Sequence, residues 1–198
     1  MDKARIAVLV SGGGTNLQAL IDAQRSGILK SGEICVVISN NRDAYALTRA
    51  ANAGIVGEVV LKKELGSQAA FEERIKEILN RYQIDVIVLA GFMSILSESF
   101  TSSYPKRILN VHPSLIPSFC GEGFYGLRVH EAALVYGVKV TGATVHFVNE
   151  IPDGGEIILQ KAVEIQPGDT PEILQKRVME QAEWKILPAA VEQVCSQL

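Results

Sequence analysis

Disulfide chemistry has little to work with in this sequence. Its 198 residues hold three cysteines, Cys35, Cys120 and Cys195, odd in number, widely spaced and never in a Cys-x-x-Cys pair. A disulfide framework and a zinc site of the usual ligand spacing are disfavoured, no metal is expected, and a reducing cytoplasm is the expected setting. A surplus of positive charge is also missing. Nineteen Lys and Arg against 22 Asp and Glu give a formal net charge of −3, and the interspersed signs leave no basic stripe, so no nucleic acid partner is expected. The apolar run in the N-terminal MDKARIAVLVSGGG is too short to span a membrane, and it leads into glycines rather than a small-residue cleavage site. It reads as part of the fold, with no membrane partner. No repeat, low-complexity tract or linker interrupts the chain.

What is present is enough apolar material, 47% of residues, to bury a core over one domain spanning 1–198. Short β-branched runs recur at Ile6–Val10, Ile34–Ile38, Val56–Leu61, Ile84–Leu89 and Ile108–Val111. Between them apolar residues fall at helical spacing: Leu17, Leu20 and Ile21; Ala46, Leu47, Ala50 and Ala51; Phe71, Ile75, Ile78 and Leu79. Alternating strands and helices, with strands apolar throughout, predict an α/β fold with a doubly wound, mostly parallel sheet covered by helices on both faces. The second half differs. Lys139–Val148 alternates, Pro152-Asp153-Gly154-Gly155 turns, and Glu156–Val163 returns, which predicts an antiparallel edge. Thr170 before Pro171 caps a helix expected to run to Trp184 or beyond.

Two stretches carry chemistry. Ser11-Gly12-Gly13-Gly14-Thr15-Asn16 lies between the first strand and the first helix, so backbone N–H groups and a helix N-terminus converge there and an anion is the natural guest. The Gly-Lys-Ser/Thr of a nucleoside triphosphate loop is absent. Leu17 occupies the place of a dinucleotide loop's third glycine, and the second strand ends Ser39-Asn40 without an acid, which weakens a dehydrogenase reading. A single phosphate monoester fits better. At the end of the fifth strand, Asn110 and His112 are two apart and share a face, and Pro113 places them at its carboxyl end. An amide donor beside an imidazole suits acyl transfer: one group binds a developing oxyanion and the other manages a proton. A carboxylate that orients the imidazole and raises its pKa would complete the set. Asp153 is the candidate on pattern, although Asp before Gly is by itself ordinary turn chemistry.

These stretches resemble the phosphoribosylglycinamide formyltransferases, a folate-dependent family. Val10–Gln18, Leu89–Met93, Leu109–Pro117, Thr144–Val148, Asp153–Gly155 and Ile157–Gln160 match in order, and the similarity extends over nearly the whole chain. The resemblance implies a formyltransferase-type, Rossmann-like fold and a catalytic trio of Asn110, His112 and Asp153. It implies that Gly14, Thr15 and Asn16 hold the phosphate of glycinamide ribonucleotide, with Glu183 near that substrate's other end. It implies a folate border of Gln68, Met93, Ser94, Ile95, Leu96, Asn110, Asn149, Glu150, Ile151, Pro152 and Asp153. The co-substrate implied is 10-formyltetrahydrofolate, with the N-terminal half binding the phosphate and the C-terminal half folate-binding and catalytic. The expected partners are these two small molecules, and a homodimer is entertained. Relative to many relatives, Gln68 and Ser94 stand in place of arginine. Trp184 stands in place of a histidine, with one extra residue in that helix, and Glu122–Tyr125 is a short insertion. Two related readings are a formyltetrahydrofolate hydrolase and a methionyl-tRNA formyltransferase. Both usually carry an added domain, for which a chain running from first strand to last helix leaves no room. A phosphate-binding module without catalysis would leave the trio unexplained.

Overall fold

The computed structural model describes residues 2–198. The β-branched runs form β1 (Ala4–Val10), β2 (Gly32–Ser39), β3 (Val56–Val59), β4 (Val86–Leu89) and β5 (Ile108–His112), and two later strands follow, β6 (Val140–Phe147) and β7 (Ile157–Glu164). The helices are α1 (Thr15–Ser26), α2 (Tyr45–Asn52), α3 (Lys62–Leu65), α4 (Gln68–Arg81), α5 (Glu98–Thr101), α6 (Leu127–Tyr136), α7 (Pro171–Val178) and α8 (Trp184–Cys195). One seven-stranded sheet has the order β3-β2-β1-β4-β5-β6-β7. Pairs from β3 through β5 are parallel, while β5–β6 and β6–β7 are antiparallel. This is the expected doubly wound α/β sheet with an antiparallel edge.

Because strand residues alternate faces, each strand feeds two cores. Ile6, Val8 and Val10 of β1 and Leu109 and Val111 of β5 join Leu17, Leu20, Leu187 and Val191 of α1 and α8 on one side. Ala7, Leu9 and Ile108 join Phe71, Ile75 and Phe100 of α4 and α5 on the other. Each fully buried large apolar side chain stabilises by roughly 1.5–3 kcal/mol relative to exposure. A one-residue slip of β5 would therefore forfeit several such terms, and this fixes the face on which Asn110 and His112 stand. The chain winds outward from β1 to β3 and then returns to β4 on the other side of β1. The crevice at the carboxyl ends of β1 and β4 is therefore a switch point, where open α/β sheets bind ligands.

Some details differ from expectation. β3 stops at Val59 rather than Leu61, and β4 begins at Val86 rather than Ile84. The alternation in Lys139–Val148 predicted one wet face, yet Thr141 through His146 are all buried, because β6 lies inside the sheet, where Thr144 and His146 bond within the protein. The last helix starts as predicted, with Thr170 Oγ1 accepting from the Ile173 N–H at 3.3 Å and Pro171 in the first turn. It is not one α-helix. Met179–Glu183 forms a π-helical turn between α7 and α8. Such a turn absorbs one added residue while the flanking helices keep their buried faces. Helices α3, α5 and α6 have no counterpart in the sequence reading; the first two have four residues each, too short for a periodic signal.

Candidate active site

The loop after β1 is held from one side. Asn41 Nδ2 donates to the Ser11 carbonyl at 3.3 Å, and the Ala46 N–H at the start of α2 donates to the Gly12 carbonyl at 3.0 Å. Carbonyl and N–H of a trans peptide point in opposite directions, so the N–H groups of Gly12 and Gly13 face away from α2. Among the described residues, no protein acceptor takes the N–H of any residue from Gly12 to Asn16. Only Gly14 is glycine for reasons of backbone and packing: its φ is 72°, and a Cβ there would lie 2.7 Å from that of Ala46. A Cβ on Gly12 or Gly13 would meet nothing within 4 Å. Open space therefore lies beside their free donors, as an anion cradle requires.

Asn16 and Glu183, 167 residues apart, meet here: Asn16 Nδ2 donates to Glu183 Oε2 at 2.8 Å. The π-helical turn ends at Glu183 and brings it under the loop. Burial raises the Glu183 carboxyl above its ordinary pKa, against the opposing hydrogen bond from Asn16. Thr15 Oγ1 lies 3.8 Å from Met179 Sδ on the same turn. A cleft of about 560 Å³ between α1 and α8 reaches Thr15, with Trp184 in its wall.

On β5 the pair of Asn110 and His112 is completed by β6. Register sets Asn110 opposite His146 and His112 opposite Thr144. His146 Nδ1 lies 2.8 Å from the Phe147 carbonyl, which only accepts, so that nitrogen carries the proton. Its Nε2 then accepts from Asn110 Nδ2 at 3.2 Å, which orients the amide and leaves a second amide N–H for another acceptor. Asp153 reaches both imidazoles: Oδ2 is 3.5 Å from His112 Nδ1 and Oδ1 is 3.6 Å from His146 Nε2. The turn carrying it is tight. A Cβ on Gly155 would lie 1.7 Å from the Phe147 carbonyl, and Asp153 itself sits at φ 55°, a left-handed conformation that Asp and Asn adopt more readily than most residues.

Just ahead of the Glu122–Tyr125 insertion, backbone atoms of Phe119 and Gly121 contact two of the trio. The Phe119 carbonyl accepts from His112 Nε2 at 2.9 Å, and the Gly121 N–H donates to Asp153 Oδ2 at 2.9 Å. His112 is 4% exposed. As expected of a neighbouring carboxylate, Asp153 raises the His112 pKa, but burial opposes it. Burial lowers that pKa most, the Asp153 carboxylate and the Phe119 carbonyl raise it, His146 lowers it slightly, and the balance falls below the ordinary value. Burial also raises Asp153, but the neighbouring imidazoles of His146 and His112 and the Gly121 N–H outweigh it, so its pKa lies below the ordinary value.

The expected folate border falls into two loops. After β4, the Met93 N–H donates to Ser11 Oγ at 2.8 Å, tying this loop to the glycine loop across the switch point. Met93 and Ile95, both on this loop, are exposed at 59% and 74%. Leu96 is buried in the core beneath them, so it borders a ligand only through neighbours. Ser94 accepts from Asn40 Nδ2 at 2.7 Å, and Gln68 Nε2 donates to the Ile95 carbonyl at 3.1 Å. Together Gln68 and Met93–Ser97 line a second cleft of about 550 Å³. In the loop before β7, Asn149 Oδ1 accepts from the Ile151 N–H at 3.0 Å, while Glu150, Ile151 and Pro152 are exposed. Sequence reasoning missed the role of His146. Its motif was in view, but a partner across a sheet becomes visible only once strand order is known. Among the described residues, no helix is long and apolar enough to cross a membrane.

Comparison with known proteins identifies the family and the fold. The sequence pattern of a family described as "Formyl transferase" matches residues 4–191. The chain is 47% identical over 194 residues to the human trifunctional purine biosynthetic protein adenosine-3, covering 98% of this chain but 18% of that protein. It is 44% identical over 187 residues to phosphoribosylglycinamide formyltransferase of Haemophilus influenzae, covering 94% of this chain and 85% of that one. The crystal structure of glycinamide ribonucleotide transformylase 1 from Symbiobacterium toebii superimposes with a TM-score of 0.92 at 42% identity, covering 98% of this chain and 89% of that one.

Proposed function

The chain belongs to the formyl transferase family, and we propose that it transfers the formyl group of 10-formyltetrahydrofolate to the amine of glycinamide ribonucleotide, a step of purine biosynthesis. The observation that carries this reading is the convergence of Asn110, His112 and Asp153, with His146 behind them, at the carboxyl edge of the sheet that also bears the free N–H groups of the glycine loop. A phosphate cradle and an acyl-transfer constellation on one edge suit a phosphorylated amine as acceptor.

In this reading Gly14, Thr15 and Asn16 hold the phosphate, Glu183 with Asn16 supports the acceptor beyond it, and the loops around Met93–Leu96 and Asn149–Asp153 hold the folate. The acceptor's amine nitrogen attacks the formyl carbon, and charge gathers on the formyl oxygen. The free amide N–H of Asn110 and the His112 imidazole stabilise that oxygen. Growing negative charge favours the imidazolium, so His112 takes up a proton from solvent as the intermediate forms, Asp153 balances its charge, and the proton returns to solvent when the intermediate collapses. Asp153, through water, moves the proton of the attacking nitrogen to the departing folate nitrogen as the old carbon–nitrogen bond breaks. The Phe119–Gly121 segment must leave His112 and Asp153 for this to happen. Both substrates are small molecules of the cytoplasm, where the three free cysteines would stay reduced.

The test is tetrahydrofolate release from 10-formyltetrahydrofolate with and without glycinamide ribonucleotide. Release that depends on the ribonucleotide is expected. Equal release without it would make the protein a hydrolase, and none in either case would leave a binding module.

A further inference from the structure

Two of the three carbonyls in the glycine loop are held by neutral groups, and the third is held by a charge. Arg49, on α2, donates from Nε to the Gly13 carbonyl at 2.8 Å and from Nη1 to Gln18 Oε1 at 3.1 Å. Its guanidinium lies over the Tyr45 ring, 5.0 Å from the centroid. Three contacts hold this arginine although it pairs with no carboxylate, and ordering so long a side chain costs entropy. We propose that Arg49 is the positioning residue of the phosphate loop, holding and polarising the Gly13–Gly14 peptide so that the Gly14 N–H meets a phosphate monoester dianion. This rests on the phosphate-loop reading given above.

Three features support the assignment. Gly13 and Gly14 share one peptide, so a cation on the Gly13 carbonyl draws charge through it and makes the Gly14 N–H a stronger donor. No side chain of Gly13 itself can fix that peptide plane, and a Cβ there would meet nothing within 4 Å, so the bond from Arg49 is what holds its carbonyl. And none of the partners of Arg49 is anionic, so its charge is not cancelled before a dianion arrives. A purely structural arginine at this place would serve as well bonded to any acceptor on α1. The bond to Gly13 concerns the loop alone.

The test uses the intact protein and the variants Arg49→Met, which keeps the stem and removes charge and donors, and Arg49→Lys, which keeps the charge without the planar fork. The readouts are kcat, KM for glycinamide ribonucleotide, KM for the formyl folate, and the inhibition constant of inorganic phosphate competing with the ribonucleotide. For Arg49→Met, the KM for the ribonucleotide and the phosphate inhibition constant are expected to rise together by about tenfold, as for loss of one charge-assisted hydrogen bond. The folate KM and kcat should stay within about twofold of the parent, because an interaction made equally before and during the reaction moves KM alone. Arg49→Lys should fall between, near threefold, since an ammonium reaches the carbonyl without the second bond to Gln18. Unchanged phosphate and ribonucleotide constants in both variants, or a fall in kcat with KM unmoved, would overturn the inference. Should Arg49→Met not fold, the phosphate constant of Arg49→Lys decides alone, and a parental value counts against it. A parent protein that fails to use the ribonucleotide sinks the functional reading instead, and so separates the two failures.

Discussion

At His112, burial disfavours the imidazolium while the Asp153 carboxylate and the Phe119 carbonyl favour it, and burial wins in the ligand-free protein. Asp153→Asn removes the charge but keeps the size, suits the left-handed backbone at φ 55°, and retains an oxygen for the Gly121 N–H. Turnover should fall by about a hundredfold or more, the usual worth of a positioned acid–base group, with thermal stability little changed. The His112 pKa, followed by NMR of the ring carbon, should drop further below its ordinary value, because the neighbouring carboxylate is one of the groups raising it. Near-parental turnover, or a His112 pKa that rises, would contradict this assignment. Asn110→Ala should cost a comparable factor in kcat by removing one oxyanion donor, on the order of a hundredfold. His146 cannot replace it, since its Nε2 serves as the acceptor that orients Asn110.

Among the elements, the strand-to-helix loop separates two uses of glycine. Gly14→Ala would force a Cβ onto Ala46 at 2.7 Å in a left-handed backbone at φ 72°. It should therefore destabilise the protein by about 2 kcal/mol or more, read as a lower midpoint in urea. Gly13→Ala meets nothing within 4 Å and should leave that midpoint in place while raising KM for the phosphorylated substrate. If Gly13→Ala unfolds the protein as readily as Gly14→Ala, the loop is a packing feature rather than an anion cradle. Strand existence, the parallel half of the sheet and the shared face of Asn110 and His112 were legible in the sequence, since they follow from apolar period and two-residue alternation. The cross-strand partner His146 was not, because pairing order is a tertiary property. Nor was the cover over His112 and Asp153, which is made by backbone atoms of Phe119 and Gly121 and so carries no side-chain signal. Asp153 stood between: its turn was legible, but its reach to two imidazoles depends on the close approach of Gly155 to β6.

For the molecule as a whole, the ionisable groups buried in the fold set its acid limit. His130 on α6 is fully buried, with no partner for either ring nitrogen among the described residues. Burial chiefly, with the charge of His112, lowers its pKa from 6.5 to about 4. The unfolded chain therefore binds a proton at His130 that the folded chain refuses between those values, so stability is full above pH 6.5 and is lost as pH falls toward about 4. At one pKa unit per 1.36 kcal/mol the loss amounts to at most about 3 kcal/mol. His130→Leu should flatten the fall of melting temperature across that window, and an unchanged slope would show that other groups set it. The chain matches both stand-alone formyltransferases and less than a fifth, 18%, of the human trifunctional protein, so the catalytic claim is best put to this chain directly. The decisive measurement supplies 10-formyltetrahydrofolate labelled with carbon-13 in the formyl group together with glycinamide ribonucleotide, and follows the label by mass spectrometry. The account predicts label on the ribonucleotide's amine at a rate that collapses in Asp153→Asn. Label recovered as free formate, at a rate indifferent to the ribonucleotide, would contradict it.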